Sequence, residues 1–151
     1  MGRLDDAVVG FLEERGWPVD IDGSMIRTVV RTEEQAFPCA VVVVEEVGQL
    51  VVYSVHPDLV DPERRDAVAE LTTRANTQLT VGNLEIELDA GQVRFRTGLA
   101  VGQSPVTSEM IERIIFDNAA TAVAYFPLVS AVADGRLTPS DAVALLGSEA
   151  S

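Results

Sequence analysis

The sequence predicts an α+β protein built on an antiparallel sheet of about five strands with flanking helices. Two strand-like stretches each fold back at a glycine, which is typical of antiparallel hairpins. The helical patterns lie before, between and after the strands and do not alternate with each of them, and no internal repeat is present. The predicted order is α-β-β-β-α-β-β-α-α in one domain over residues 1–147, followed by a frayed tail at 148–151.

The composition is that of a globular protein with an unusually acidic balance. Of 151 residues, 47% are apolar and 23% charged, which suffices for a hydrophobic core. The net charge of −13, with arginine as the only strong base, repels phosphate backbones, so no nucleic acid partner is expected. Without a signal-peptide pattern or an unbroken run of about 18 apolar residues, the expected location is the cytoplasm, with no membrane partner.

The first third of the chain predicts a helix and then strands. Apolar residues recur at helical spacing from Leu4 to Leu12, and Gly16 ends a helix over residues 4–15. The next stretch, "VDIDGSMIRTVVR", predicts either a strand pair or one strand with a turn at Asp22-Gly23.

A valine-rich hairpin, "AVVVVEEVGQLVVYSV", occupies residues 40–55 with a predicted turn at Val47-Gly48. Pairing Val44 with Val51 and Val42 with Tyr53 makes both faces apolar, whereas a sheet with one wet face alternates. One face carries Val42, Val44, Val51, Tyr53 and Val55. The other carries Val41, Val43, Leu50 and Val52, and this second row is the candidate surface for a partner or a dimer. Either the chain's own helices cover both faces, or a second chain covers one.

The middle of the chain predicts a helix and a second hairpin. Asp61 and Pro62 start a helix whose stripe includes Val68, Leu71 and Ala75. In "LEIELDAGQVRFR" a turn at Ala90-Gly91 pairs apolar residues on one face and charged residues on the other. The predicted pairs are Leu88 with Val93, Ile86 with Phe95, Glu87 with Arg94 and Glu85 with Arg96.

Two helices complete the chain. The longer one runs from about Thr107 to Asp134, where Gly135 is a C-cap candidate, and Pro127 predicts a kink or break near Tyr125-Phe126. The shorter one begins at Pro139, with Thr138 as its cap.

The stretch from Asn76 to Gly135 resembles the YbjN-type domain of bacteria. It contains a helix ending in Asn, the hairpin "LEIELDAGQVRFR" and the segment "AYFPLVSAVADG". The positions that match the family's pattern are Asn76, Gly91, Tyr125, Pro127 and Gly135. The resemblance implies a fold similar to the type III secretion chaperones, commonly a homodimer, and a regulatory role without an assigned chemistry.

No constellation in the sequence supports catalysis, so no enzyme activity, cofactor or metal is expected. His56 is the only histidine, which rules out a site with several histidine ligands. Cys39, the only cysteine, starts an apolar strand and is expected to be a buried thiol.

Two functions follow. The first is a non-catalytic, chaperone-like or regulatory homodimer that binds a polypeptide partner through apolar surface. The alternative is a small-molecule sensor with a pocket between the sheet and the third helix, lined by Phe95, Tyr125 and Phe126.

Overall fold

The structure, a computed structural model, describes residues 2–149, with side chains described for residues 2–146. The helices are α1 (Arg3–Glu14), α2 (Arg65–Asn76), α3 (Ser108–Ala133) and α4 (Pro139–Glu149), and a short 3₁₀ turn, Pro62–Arg64, precedes α2. The strands are β1 (Asp20–Asp22), β2 (Met25–Arg31), β3 (Ala36–Val44), β4 (Gln49–Val55), β5 (Asn83–Glu87) and β6 (Gln92–Ala100).

All six strands form one antiparallel sheet in the order β1-β2-β3-β4-β6-β5. The α+β class and the antiparallel sheet are confirmed. The sheet has one strand more than the predicted five or so, because the segment before Met25 pairs with β2 across the turn at Asp22-Gly23.

Helices pack on one face of this sheet and form the hydrophobic core there. Helix α3 lies over β4 and β6, α1 contacts β3 and α3, and α2 contacts β5. The ring of Phe126 on α3 meets that of Phe37 on β3 edge-on, with ring centres 5.0 Å apart. Most of the core therefore lies between this face and the helices, and the opposite face is left open.

Both hairpins have the predicted faces but a register shifted by two residues. Val42 pairs with Val51 where Val44 was expected, and Ile86 pairs with Val93 where Leu88 was expected. Each connection is a four-residue turn and not the predicted two-residue turn. A shift of two keeps every side chain on its face, because side chains alternate along a strand.

A glutamate at each hairpin bonds backbone groups outside the strand pairing, which accompanies the longer turns. In the β3–β4 turn the Glu45 carboxylate accepts the backbone N–H groups of Leu4 and Asp5, at 2.6 and 3.0 Å, and caps the N-terminus of α1. The Glu87 carboxylate accepts the N–H groups of Asp89 and Ala90 at 3.2 and 2.8 Å. Both carboxylates therefore accept hydrogen bonds from backbone N–H groups that do not pair between the strands.

Helix α3 runs unbroken across Pro127, so of the predicted kink or break near Tyr125-Phe126 the break does not occur. Proline has no N–H to bond the carbonyl four residues earlier, that of Val123. The Gln35 side-chain amide donates to that carbonyl at 2.9 Å and replaces the missing bond. Gly135, in the left-handed conformation at φ 76°, follows the end of the helix as predicted.

By length and composition α3 could cross a membrane, although the sequence has no unbroken run of about 18 apolar residues there. Its apolar side is buried against the sheet and the other helices, so it is a core helix. Helix α4 includes residues 148 and 149, where a frayed tail was predicted, and residues 150 and 151 lie outside the described residues.

Two positions of the family pattern have clear structural roles. The Asn76 side chain donates to the carbonyl of Leu84 at 3.1 Å and accepts its N–H at 2.8 Å, which fastens the end of α2 to β5. Gly91 has φ 80°, and a Cβ there would collide with the carbonyl of Val60. Only glycine fits this turn against the loop before α2.

Candidate binding surface on the open face of the sheet

The open face of the sheet carries a continuous apolar band along β3 and β4. Its side chains are half-buried or exposed. The members of the band are Ala36, Pro38, Ala40, Val42, Val44, Val51, Tyr53 and Val55. No helix covers them among the residues that the structure describes, so this band is a candidate binding surface.

The row predicted as the partner surface lies on the other face. Val41, Val43, Leu50 and Val52 are at most 4% exposed and belong to the core beneath the helices. Both faces of the hairpin are apolar, as predicted: the helices cover one row and the other row faces solvent. Periodicity separates two rows but carries no information on which row the helices cover.

A trough of about 600 Å³ crosses the open face. Its floor is formed by outward-facing side chains of the central strands, and one wall by the segment Pro18–Asp20, which joins α1 to β1. The floor residues are Met25, Val29, Pro38, Ala40, Tyr53 and Val55. The trough is partly open to solvent.

Ion pairs flank the apolar band on both sides. On β1 and β2, Arg27 bonds Asp22 at 3.2 Å. On β5 and β6, the Glu85 carboxylate forms ion pairs with the guanidinium groups of Arg94, at 2.8 Å, and of Arg96, at 3.2 Å. The predicted pairs were Glu87 with Arg94 and Glu85 with Arg96. In the structure Glu85 binds both arginines, because the Glu87 carboxylate bonds the backbone of its own turn.

The Glu85 carboxylate is held in its charged form. Partial burial alone would raise the pKa of this carboxyl, but hydrogen bonds from Arg94 and Asn83 and the charges of both arginines lower it below its usual value. The Arg94 guanidinium also lies 4.8 Å from the centre of the Tyr53 ring. Arg94 therefore connects the charged border to the apolar floor.

The open face is formally neutral although the chain carries −13. Four arginines point outward from β2 and β6, and four acids point outward from β1 and β5. They are Arg27, Arg31, Arg94 and Arg96, and Asp20, Asp22, Glu85 and Glu87. The whole excess of negative charge is carried by the rest of the chain.

The predicted pocket between sheet and third helix is only partly present. Phe126 and Pro127 line a cavity of about 250 Å³ together with Phe37 and His56. Phe95 and Tyr125 are instead buried in the core, at 0% and 6% exposure. Burial raises the pKa of the Tyr125 phenol.

The imidazole of His56 forms the arrangement closest to a catalytic pair, but its hydrogen bonds are those of a structural residue. Its Nε2 lies 2.9 Å from Ser130 Oγ, and its Nδ1 lies 3.1 Å from the backbone nitrogen and 3.2 Å from the carbonyl oxygen of Asp58. In a catalytic triad a carboxylate at Nδ1 orients the histidine as a base. Here the backbone of Asp58 takes that position.

Cys39 is buried, as predicted. Burial raises the pKa of its thiol to about 12, and a hydrogen bond to Ser54 lowers it only partly. The thiolate needed for nucleophilic chemistry is therefore scarce near neutral pH. Over the part of the chain that the structure describes, no three metal-ligating side chains come together in a group that could hold a metal ion.

Sequence reasoning missed Asn118, a fully buried polar residue on the sheet side of α3. Its amide donates to the carbonyls of Val52 and Phe95 at 2.9 and 3.1 Å and to Thr97 Oγ1 at 3.2 Å. Its oxygen accepts Ser54 Oγ at 2.6 Å. The available signal was an asparagine within the apolar stripe of the helix, between Ile115 and Ala122.

The fold defines a class: α+β proteins with one antiparallel sheet and helices packed on one of its faces. The crystal structure of the ExsC–ExsE complex contains a chain that superposes with a TM-score of 0.61 at 14% identity, covering 84% of this chain and 93% of that one. At this identity the similarity concerns the fold alone.

The family follows from the sequence. Residues 4–130 match the YbjN family, described as "Putative bacterial sensory transduction regulator", and the chain belongs to it. The crystal structure of YbjN from E. coli, "a putative transcription regulator", is also similar, with a TM-score of 0.58, 11% identity, and coverage of 87% of this chain and 90% of that one. No curated protein sequence matches the chain.

Proposed function

We propose that this protein is a non-catalytic binding protein of the chaperone type, which holds a segment of another polypeptide against the open face of its sheet. The observation that carries this proposal is the apolar band along β3 and β4 with its trough of about 600 Å³. Covering such a surface is favourable, since each large aliphatic side chain removed from water contributes about 1.5–3 kcal/mol at full burial.

The shared fold supports a polypeptide as the occupant. The ExsC structure is that of a complex with ExsE, and its chain has the same architecture as this one. The hydrogen bonds of His56 and the burial of Cys39 argue in the same direction, because neither group is arranged for catalysis. The cytoplasm, with its reducing conditions, suits a single free thiol.

A homodimer is the second part of the proposal. The open face is reserved for the partner, so the two copies would associate through other surfaces. Light scattering on the purified protein at micromolar concentration measures the mass directly, and a monomer would contradict this part. The substitution Val51→Asp on the open face is expected to leave the dimer intact.

Capture of partners from the native host tests the binding function. The wild-type chain is compared with Val51→Asp on the apolar band and with Val47→Asp, a matched control in the β3–β4 turn, where Val47 is 54% exposed. The expected result is a polypeptide retained by the wild type and by the control but lost from Val51→Asp. If all three chains retain the same polypeptides, the open face is not the binding surface.

A small-molecule sensor is the second candidate, because a cavity does lie where α3 meets β3 and the end of β4. Its volume of about 250 Å³ falls below the ~300–1,000 Å³ of ordinary ligand pockets. A thermal-shift screen with metabolites separates the two functions. A compound that raises the melting temperature of the wild type but not of Phe126→Leu would favour the sensor.

A further inference from the structure

The flat face of a sheet restricts the conformation of whatever binds it. The backbone N–H and C=O groups of β3 and β4 are used within the sheet, because each of these strands has a neighbour on both sides. An extended segment lying on this face would bury its own backbone polar groups without partners, at a cost of about 1–3 kcal/mol each. An α-helix satisfies its backbone internally, so it can bury apolar side chains there without that cost.

The width of the apolar band matches a helix. The charged borders stand on β2 and β6, which are three strand spacings apart in the sheet. At about 4.8 Å per spacing the borders lie about 14 Å apart. A helix with its side chains is about 10–12 Å wide, so one helix fills the band between Arg27 and Arg94.

The length of the band sets the length of the helix. The outward-facing apolar residues of β3 that are larger than alanine lie between Pro38 and Val44. This distance is about 20 Å at about 3.3 Å per residue of strand. A helix rises about 1.5 Å per residue, so about 13 residues, or between three and four turns, cover the band.

The charge of the occupant follows from the neutral face. The four arginines and four acids on the open face cancel, while the rest of the chain carries −13. A helix seated on the band therefore meets no net charge beneath it but a negative field around it, which attracts a positive polar side and repels a negative one. Added salt therefore distinguishes two contributions to binding. It screens the electrostatic attraction but leaves the apolar contact with the band unchanged.

We infer that the partner segment on the open face is an amphipathic α-helix of about 13 residues, with an apolar stripe on the apolar band and a basic polar side toward solvent. This inference rests on the proposed function and specifies its partner. The opposite face of the same sheet is already covered in this manner by α3, whose apolar side packs on β4 and β6.

Synthetic peptides test the inference on the full chain. The probe is a peptide of about 14 residues with leucine at helical spacing and lysine and glutamine elsewhere. One control has two central residues replaced by proline, which prevents a helix, and another has glutamate in place of lysine. Fluorescence anisotropy measures affinity, and circular dichroism measures helix formed on binding.

The lysine peptide is expected to bind and to gain helix, with an affinity at least tenfold higher than that of either control. Added salt is expected to narrow its advantage over the glutamate peptide. Val51→Asp is expected to weaken binding at least tenfold and Val47→Asp less than twofold, with circular dichroism showing that both variants are folded.

Three results would overturn the inference. Equal binding of the proline peptide, lost in Val51→Asp, would show an extended occupant and would leave the proposed function standing. If none of the peptides binds in a manner that depends on Val51, and Val51→Asp retains every native partner, both proposals fail. If the free protein is a dimer that Val51→Asp converts to monomer, the occupant is a second copy of the chain.

Discussion

The two faces of the sheet are built from alternating residues of the same strands, yet they have different environments. Val52 faces α3 and is fully buried, while its neighbour Val51 faces the open side and is half-buried. Polar groups differ in the same way: on the covered face Ser54 is hydrogen-bonded to Asn118 in the core, and on the open face Glu85 forms ion pairs with Arg94 and Arg96 at the border. An apolar residue in a strand can therefore belong to the core or to a binding surface, and only its covering layer decides which.

Aspartate at the two neighbouring valines, Val52 and Val51, should change the free energy of unfolding by very different amounts. Val52→Asp places an unpaired charge in the core and is expected to cost about 5 kcal/mol or more of the free energy of unfolding, enough to unfold many domains. Val51→Asp, one residue along, is expected to cost about 1 kcal/mol or less. Urea unfolding followed by circular dichroism measures both, and similar losses would mean that both faces are buried.

The polar centre of the covered face gives the next largest effect. Asn118→Leu leaves Ser54 and two carbonyls without the amide, with an expected loss of about 3 kcal/mol. Asp117→Leu on the exposed side of the same helix is the matched control and should change stability by about 0.5 kcal/mol or less. A loss below 1 kcal/mol for Asn118→Leu would show that water can replace its bonds.

Thiol reactivity distinguishes the faces without a stability measurement. Cys39 is buried and the pKa of its thiol is raised to about 12, so labelling by a thiol reagent at pH 8 should be slow. In the double variant Cys39→Ala, Ala40→Cys the thiol lies on the open face and should react about 100-fold faster. As a control, the two thiols should be labelled at equal rates in urea, where both chains are unfolded. Equal labelling rates in the folded state would contradict the assignment of the faces.

The smallest effect concerns the border of the open face. Glu85→Gln is expected to cost about 0.5 kcal/mol at pH 7, as partly exposed ion pairs usually do. Because Arg94 and Arg96 lower the folded-state pKa of Glu85, this stabilisation is present above the unfolded value of about 4.3 and is lost as pH falls through the folded value. Unfolding at pH 7 and pH 3 checks it, with the exposed Glu109→Gln as the control that should show a smaller change.

Much of the fold was predictable because local signals agreed with one another. The ends of α3, the start of α4 at Pro139 and the buried stripe of α2 are where the caps and the periodicity indicated. The register of the hairpins was not predictable, since Glu45 and Glu87 find their backbone partners only once α1 and the turns are in place. The continuity of α3 at Pro127 likewise depends on Gln35, a residue 88 positions away along the chain from the carbonyl it serves.

The candidate binding surface likewise has features that the local sequence predicts and features that depend on packing. The residues of the β3–β4 hairpin are enough to predict two apolar faces, because composition and the period of two are local properties. They do not predict that helices cover the row of Val52 and leave the row of Val51 open, or that the charges on the open side cancel. Burial and electrostatic balance belong to surfaces assembled from distant segments, whereas alternation belongs to each strand alone.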